Sequence, residues 1–254
     1  MPINYVRRLT GRQRAAQANR HLGIALAFVA GAANAGGFLA VKQYTSHMTG
    51  ILSSAADALA LGAIDTALDC AGALLAFLAG AASCAIMVNF ARRRNLHSEF
   101  ALPLLLEAAL LLAFGVLGTQ LQAIDVFVLP ATVMLLCFMM GLQNAVITKL
   151  SNAEIRTTHM TGIITDLGIE TGKALYWNRN GQAVPQVAAD WKRLRILLAL
   201  VSSFFAGAVA GAFGFNFIGF GATLPLAAML LGLAIVPIID DLRARPHLPP
   251  QRQY

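Results

Sequence analysis

The sequence predicts an all-α integral membrane protein of six transmembrane helices. They form two inverted three-helix repeats, each with a short His-Met-Thr-Gly helix after its first span. Three observations carry this: long apolar stretches, an alternating distribution of basic residues, and a motif that occurs twice. Hydrophobic residues make up 57% of the chain and charged residues 12%, about half the charged share of a typical soluble domain. About 20 apolar residues in a helix cross a hydrocarbon core of about 30 Å. Such stretches fall at 22–41, 69–91, 101–120, 126–147, 195–214 and 217–239. Backbone groups in lipid must be satisfied within their own segment, which makes each of them a helix.

The net charge of +7 suggests a nucleic-acid partner only until the positions are read. Of the 19 Lys and Arg residues, 18 lie in alternate segments: the N-terminal tail, the loop holding Arg92, Arg93 and Arg94, the fourth loop from Lys149 to Arg195, and the C-terminal tail. The other three loops hold Lys42 alone, beside Asp57, Asp65, Asp69 and Asp125. The positive-inside rule then places both termini in the cytoplasm, and the basic balance is a topology signal that excludes nucleic-acid binding. Cys70, Cys84 and Cys137 all fall inside spans. An odd set of thiols at that depth gives neither a disulfide framework nor metal-ligand spacing, and their expected role is packing. Residues 1–35 imitate a secretory leader, with Ala33-Asn34-Ala35 as an apparent cleavage site. Yet Gly31-Ala-Ala-Asn34-Ala35 returns as Gly141-Leu-Gln-Asn144-Ala145, so the first helix is expected to remain in the mature protein.

A second block repeats downstream of the first. Thr45-Ser-His47-Met48-Thr49-Gly50-Ile51 matches Thr157-Thr-His159-Met160-Thr161-Gly162-Ile163. The organisation that follows is a basic tail (1–21), a first three-helix repeat (22–120), a second (121–239) and a C-terminal tail (240–254). Three spans per repeat invert the second one in the membrane. Transporters and channels recur in this form, with broken helices meeting near the midplane. Met160, Ile163, Ile164 and Leu167 follow the helical i, i+3, i+4, i+7 spacing, as do Met48, Ile51, Leu52 and Ala55. Thr49 and Thr161 are the natural N-cap candidates, and Gly50 and Gly162 admit a close backbone or ligand. Each short helix either dips into the membrane, offering bare N–H groups to an anion or polar oxygen, or lies flat on its surface.

His47 and His159 are candidate substrate or proton carriers, or hydrogen-bonding groups that fix their loops. No acid or thiol matches in both copies, so a metal site is not expected. Asn34 and Asn144 either hold helices together or face each other across a pathway. Glu107 is the one carboxylate inside a span, and acids there normally face the protein interior and mark function. Asp166 is a second candidate for ion or proton coupling. Gly207 and Gly211 form a small-residue packing pattern. No nucleotide-binding loop, nucleophile elbow or metalloprotease motif is present, so neither a catalytic residue nor a cofactor is expected.

At Gly141-Leu-Gln-Asn144-Ala145 and Arg156-Thr-Thr-His159-Met-Thr161-Gly162-Ile-Ile-Thr165-Asp166-Leu-Gly168, and at their first-half counterparts, the chain resembles the YoaK-type family of bacterial inner-membrane proteins, from about residue 20 to 240. Members usually carry Asn after the first Thr-Gly, where this chain has Ile51. The resemblance implies a bacterial inner membrane and about six helices, and supplies no function. The residues point to a secondary transporter or channel for a small polar or anionic solute. His47, Thr49, Gly50, His159, Thr161 and Gly162 would line a central site, flanked by Asn34 and Asn144, with Glu107 and Asp166 for coupling. Its partners are the lipid bilayer and that solute, and a homo-oligomer is compatible with the sequence. The alternatives are a membrane sensor or scaffold that meets a cytoplasmic protein through Lys192, Arg193 and Arg195, and a lipid-acting enzyme with His159 as base and Asp166 orienting it.

Overall fold

The computed structural model describes residues 16–94, 96, 99–120, 128–150, 159–178 and 186–243. All regular structure among them is helical: α1 (Ala16–Val41), α2 (Met48–Ala60), α3 (Ile64–Arg93), α4 (Ala101–Gln120), α5 (Val128–Leu150), α6 (Met160–Leu175), α7 (Trp191–Phe217) and α8 (Thr223–Arg243). A 3-10 turn, Gly219–Ala222, joins α7 to α8.

Within these, five segments are long and apolar enough to cross a membrane: Arg20–Val41, Ile64–Arg93, Ala101–Thr119, Val128–Leu150 and Trp191–Phe217. A shorter apolar stretch, Gly219–Ile235, follows. This is a membrane protein with transmembrane helices. Two helices outrun their apolar windows at the N-terminus, where polar residues complement the helix start. The expected span 69–91 becomes a helix from Ile64, with Asp65 in its first turn, where an acid complements the helix dipole. The expected span 195–214 begins at Trp191, capped by Asp190, whose carboxylate accepts from the backbone N–H groups of Lys192 and Arg193. The stretch 217–239 is divided, because Gly219 at φ +67° breaks the chain between α7 and α8.

Apolar surface gains little by leaving lipid for another apolar surface, so close backbone packing must hold such helices together. The tightest contacts are α1 on α7, α3 on α5 and α4 on α8. Each joins an element of residues 22–120 to one of 121–239, so these two stretches are not separate bodies.

Two of these crossings use the same chemistry. On α1 and α7, a Cβ at Gly31 would overlap the carbonyl oxygen of Phe204, and one at Gly207 would overlap that of Phe28. On α3 and α5, Gly80 stands against the carbonyl of Phe138 and Gly141 against that of Phe77. Each crossing is therefore Phe-x-x-Gly set into Phe-x-x-Gly, with glycine Cα–H groups pointing at carbonyl oxygens. Gly211 adds a contact with Ala32, so the Gly207-x-x-x-Gly211 pattern is a packing device.

The contacts also give directions. Ser203 Oγ donates to the Ile24 carbonyl (2.7 Å) and Gly211 meets Ala32, so α7 runs parallel to α1. Gly72 meets Met134 and Gly80 meets Leu142, so α3 runs parallel to α5. Gln143 Nε2 donates to the Leu26 carbonyl (3.2 Å) while Gly37 meets Leu136, so α1 and α5 run antiparallel. One end of the bundle therefore gathers Lys42, Asp57, Asp65 and Asp69 (the acidic end). The other gathers Arg92, Arg93, Arg94, Lys149, Lys192, Arg193 and Arg195 (the basic end).

Candidate functional site

The first His-Met-Thr-Gly motif is placed by a turn that folds back on α1. Lys42 takes a left-handed conformation, φ +56°, which ends the helix and reverses the chain. Tyr44 stacks on Phe38 with ring centroids 4.5 Å apart. Thr45 is buried beside Gly37, and Ser46 Oγ donates to Asn34 Oδ1 at 2.9 Å. Asn34 lies seven residues before Val41, so the chain has turned back about 10 Å before α2 begins. From there α2 runs outward along α3, with Ile51 clustered among Cys70, Ala73 and Cys137. The first short helix thus starts level with the middle of α1 and not beyond its end. Asn34 holds this turn rather than joining two spans.

The N-cap is the histidine, not the threonine. His47 and His159 carry the non-helical backbone angles that precede α2 and α6, and neither ring makes a capping hydrogen bond. Thr49 and Thr161 lie inside the first turn, where the Thr161 carbonyl accepts from Thr165 Oγ1. The glycines explain the spacing. A Cβ at Gly50 would overlap the His47 ring, and one at Gly162 would overlap the His159 ring. The motif is thus an imidazole folded over a glycine three residues on. His47, His159, Thr49 and Thr161 remain exposed.

In the second copy α6 runs back along α7. Asp166 Oδ2 accepts from Arg193 Nη2 (2.8 Å), and Glu170 Oε2 accepts from the Asp190 N–H (2.8 Å). Continuing that alignment brings the first turn of α6 level with Leu200. Thr157 and Thr158, the counterparts of Thr45 and Ser46, lie outside the described residues. The two motifs do not line one site. Ser46 sits beside Asn34, whereas Leu200 is level with the region of α1 just before Ile24, a separation of roughly 15–20 Å along the bundle axis. Asn34 and Asn144 do not oppose each other either. The antiparallel register of α1 and α5 sets them about 10 Å apart along the axis, and Asn144 Nδ2 donates to the Met140 carbonyl (2.9 Å).

Glu107 is 1% exposed on α4, and its Oε2 has no hydrogen-bond partner. The same holds for Oε1 of Gln143 on α5, a residue sequence reasoning passed over. Asp166, expected as a coupling acid, is the partly exposed half of an ion pair. Its neighbour Glu170 is the more constrained group: 2% exposed, bound to Lys173 Nζ at 2.9 Å and to the Asp190 N–H. Those two donors, Lys173 foremost, hold its carboxyl below the ordinary carboxylate value. The N–H groups of Arg193 and Lys192 do the same for Asp190. Sequence reasoning also missed a cavity of about 200 Å³ at the acidic end, reached between α1, α3 and α5. Gln43, Thr66 and Asp69 give it polar edges, and Cys70 and Ala73 form its floor.

The structure exposes a third repeated block. Phe77-x-Ala79-Gly80-Ala81-x-x-x-Ala85-x-x-x-Asn89-Phe90 of α3 matches Phe204-x-Ala206-Gly207-Ala208-x-x-x-Ala212-x-x-x-Asn216-Phe217 of α7, at an offset of 127. No curated protein and no solved structure matches the chain. Residues 22–236 match a protein family, a span that includes both His-Met-Thr-Gly motifs and all four crossing glycines. The chain belongs to the family described as protein of unknown function (DUF1275).

Proposed function

We propose that this protein is a transporter or channel for a small polar solute, built from two inverted repeats of three spans. The observation that carries this reading is the pair of Phe-x-x-Gly crossings, in which the first helix of each repeat packs on the other repeat's long helix. The antiparallel run of α1 and α5, equivalent helices, supports inversion. The turn that brings the start of α2 back to the level of Asn34 supports a broken-helix arrangement of the kind transporters use. Counting α8 as the sixth span puts both termini on the basic side, which the positive-inside rule assigns to the cytoplasm. A YoaK-like protein of a bacterial inner membrane fits this topology.

Each His-Met-Thr-Gly helix then serves as a half-site on its own side, with Asn34 or Asn144 beside it. Glu107, buried in a span with one oxygen unpartnered, is the candidate for proton coupling. The acids at one end and the absence of a shared site for the two helix N-termini favour a polar solute over an anionic one. Asp166 pairs with Arg193 and is not available to orient His159, which weighs against the lipid-acting enzyme.

The test is uptake by proteoliposomes of the purified protein across a panel of small neutral, cationic and anionic solutes. Saturable uptake of at least one solute is expected, and Glu107→Gln should remove its dependence on a proton gradient. Uptake no faster than in empty liposomes across the whole panel would overturn the reading.

A further inference from the structure

We propose that the cavity between the end of α1, the start of α3 and the start of α5 binds a small organic cation: an amine or quaternary ammonium with a compact apolar body. A cavity of about 150 Å³ holds benzene, and this one, at about 200 Å³, has room for a ligand of that size with a charged group. Its walls divide by chemistry. Asp69, with Gln43 and Thr66, lies on the polar side; Cys70, Ala73 and Met134 are apolar or weakly polar.

Asp69 is the charged residue of the lining and has no ion pair among the described residues. Asp65 stands one turn away on the same helix, and the connecting segments at this end carry Lys42 as their basic residue. An anion would meet this field as a barrier, and a cation would be concentrated by it. A hard metal ion needs about six oxygen ligands, which one carboxylate, an amide and a hydroxyl do not supply.

The second repeat shows that the cavity is not a by-product of the shared helix plan. At the positions equivalent to Cys70 and Ala73 it carries Leu197 and Leu200, both buried in the main core. At the position equivalent to Thr66 it carries Arg193, engaged with Asp166. Small residues open the space at one end, and large ones fill it at the other.

The inference goes beyond transport, because occupancy of this cavity and flux through the protein are read by different experiments. Cys70 is a native reporter on the cavity floor; Cys137 is fully buried in the same cluster without lining the cavity, and Cys84 is fully buried in the main core. The purified full-length protein is treated with aminoethyl or sulfonatoethyl methanethiosulfonate, and modification of Cys70 is followed by mass spectrometry. Each rate is divided by that of the same reagent on free mercaptoethanol.

The cationic reagent should react at Cys70 about tenfold faster than the anionic one, and Asp69→Asn should bring the two rates together. Benzyltrimethylammonium should slow the reaction and benzenesulfonate should not. Ala73→Leu, which copies Leu200, should block modification without lowering the melting temperature. Silence of Cys70 towards both reagents, equal rates, a faster anion, or equal protection by both probes would each overturn the assignment.

Discussion

At the acidic end α2 and α3 are joined by a tight turn, Leu61-Gly62-Ala63, in which Gly62 takes φ +74° and the Ala63 N–H donates to the Ala58 carbonyl at 2.8 Å. At the basic end the equivalent helices, α6 and α7, are separated by residues 176–190. There the N–H of Asp190, the counterpart of Ala63, has no helix carbonyl to turn to. It binds Glu170, which stands where the first repeat has Ala58. One step along, Asp166 and Arg193 pair where the first repeat has Ser54 and Thr66. The N–H groups at a helix start have no partner within the helix; here the short turn supplies one from the backbone and the long one from a side chain. The same plan is thus closed by backbone geometry at one end and by charge at the other.

The strongest way to break the equivalence of the repeats is at the crossings. Gly31→Leu and Gly141→Leu each drive a side chain into a partner backbone that cannot step aside. Each should cost about 3 kcal/mol or more, and the two losses should agree to within about 1 kcal/mol. Thermal unfolding of the purified variants in detergent reads both. A large loss at one crossing and none at the other would end the equivalence.

Acid should separate the ends next. The Glu170 carboxyl lies below its ordinary value of 4.5 in the fold. The stability it contributes is therefore complete above that value and is lost as pH falls through the lower folded one. Hydrogen exchange below pH 4.5 should accelerate at α6 and the start of α7 before α2 and the start of α3. Glu170→Gln should bring the same loosening at neutral pH.

Ser46→Ala removes one partly buried hydrogen bond and should cost about 1 kcal/mol, with faster exchange confined to residues 42–50. Asp166→Asn breaks an ion pair whose side chains are 38% and 54% exposed and should cost no more than about 1 kcal/mol in the same unfolding assay.

Much of this plan is legible in the sequence, and the omissions have physical causes. Hydropathy marks the five stretches that form long apolar helices and the shorter one after them, and two blocks at offsets 110 and 112 mark the repeated motifs. The third block stayed hidden because the longer α6 and its following loop move the offset to 127. With it stayed hidden Gly80, and the pairing of Gly207 with Phe28. Thr is the better N-cap by propensity, yet His47 and His159 take the cap because their rings need the space above Gly50 and Gly162. Glu170 reads as a surface acid on an amphipathic helix, and its burial follows from the loop ending at Asp190. The cavity depends on Cys70 and Ala73 being smaller than Leu197 and Leu200, a contrast visible only once the third block aligns the helices.

Inversion means that the two repeats face opposite sides of one membrane. Leu59 and Thr171 occupy equivalent positions on α2 and α6, and both are exposed, whereas their neighbours Ala58 and Glu170 are buried. Leu59→Cys and Thr171→Cys, each in a background lacking Cys70, Cys84 and Cys137, would be labelled with a membrane-impermeant maleimide in intact cells and in inverted vesicles. Leu59→Cys should react from the outside only and Thr171→Cys from the inside only. Reaction of both from the same side would contradict inversion and remove the basis of the transport reading.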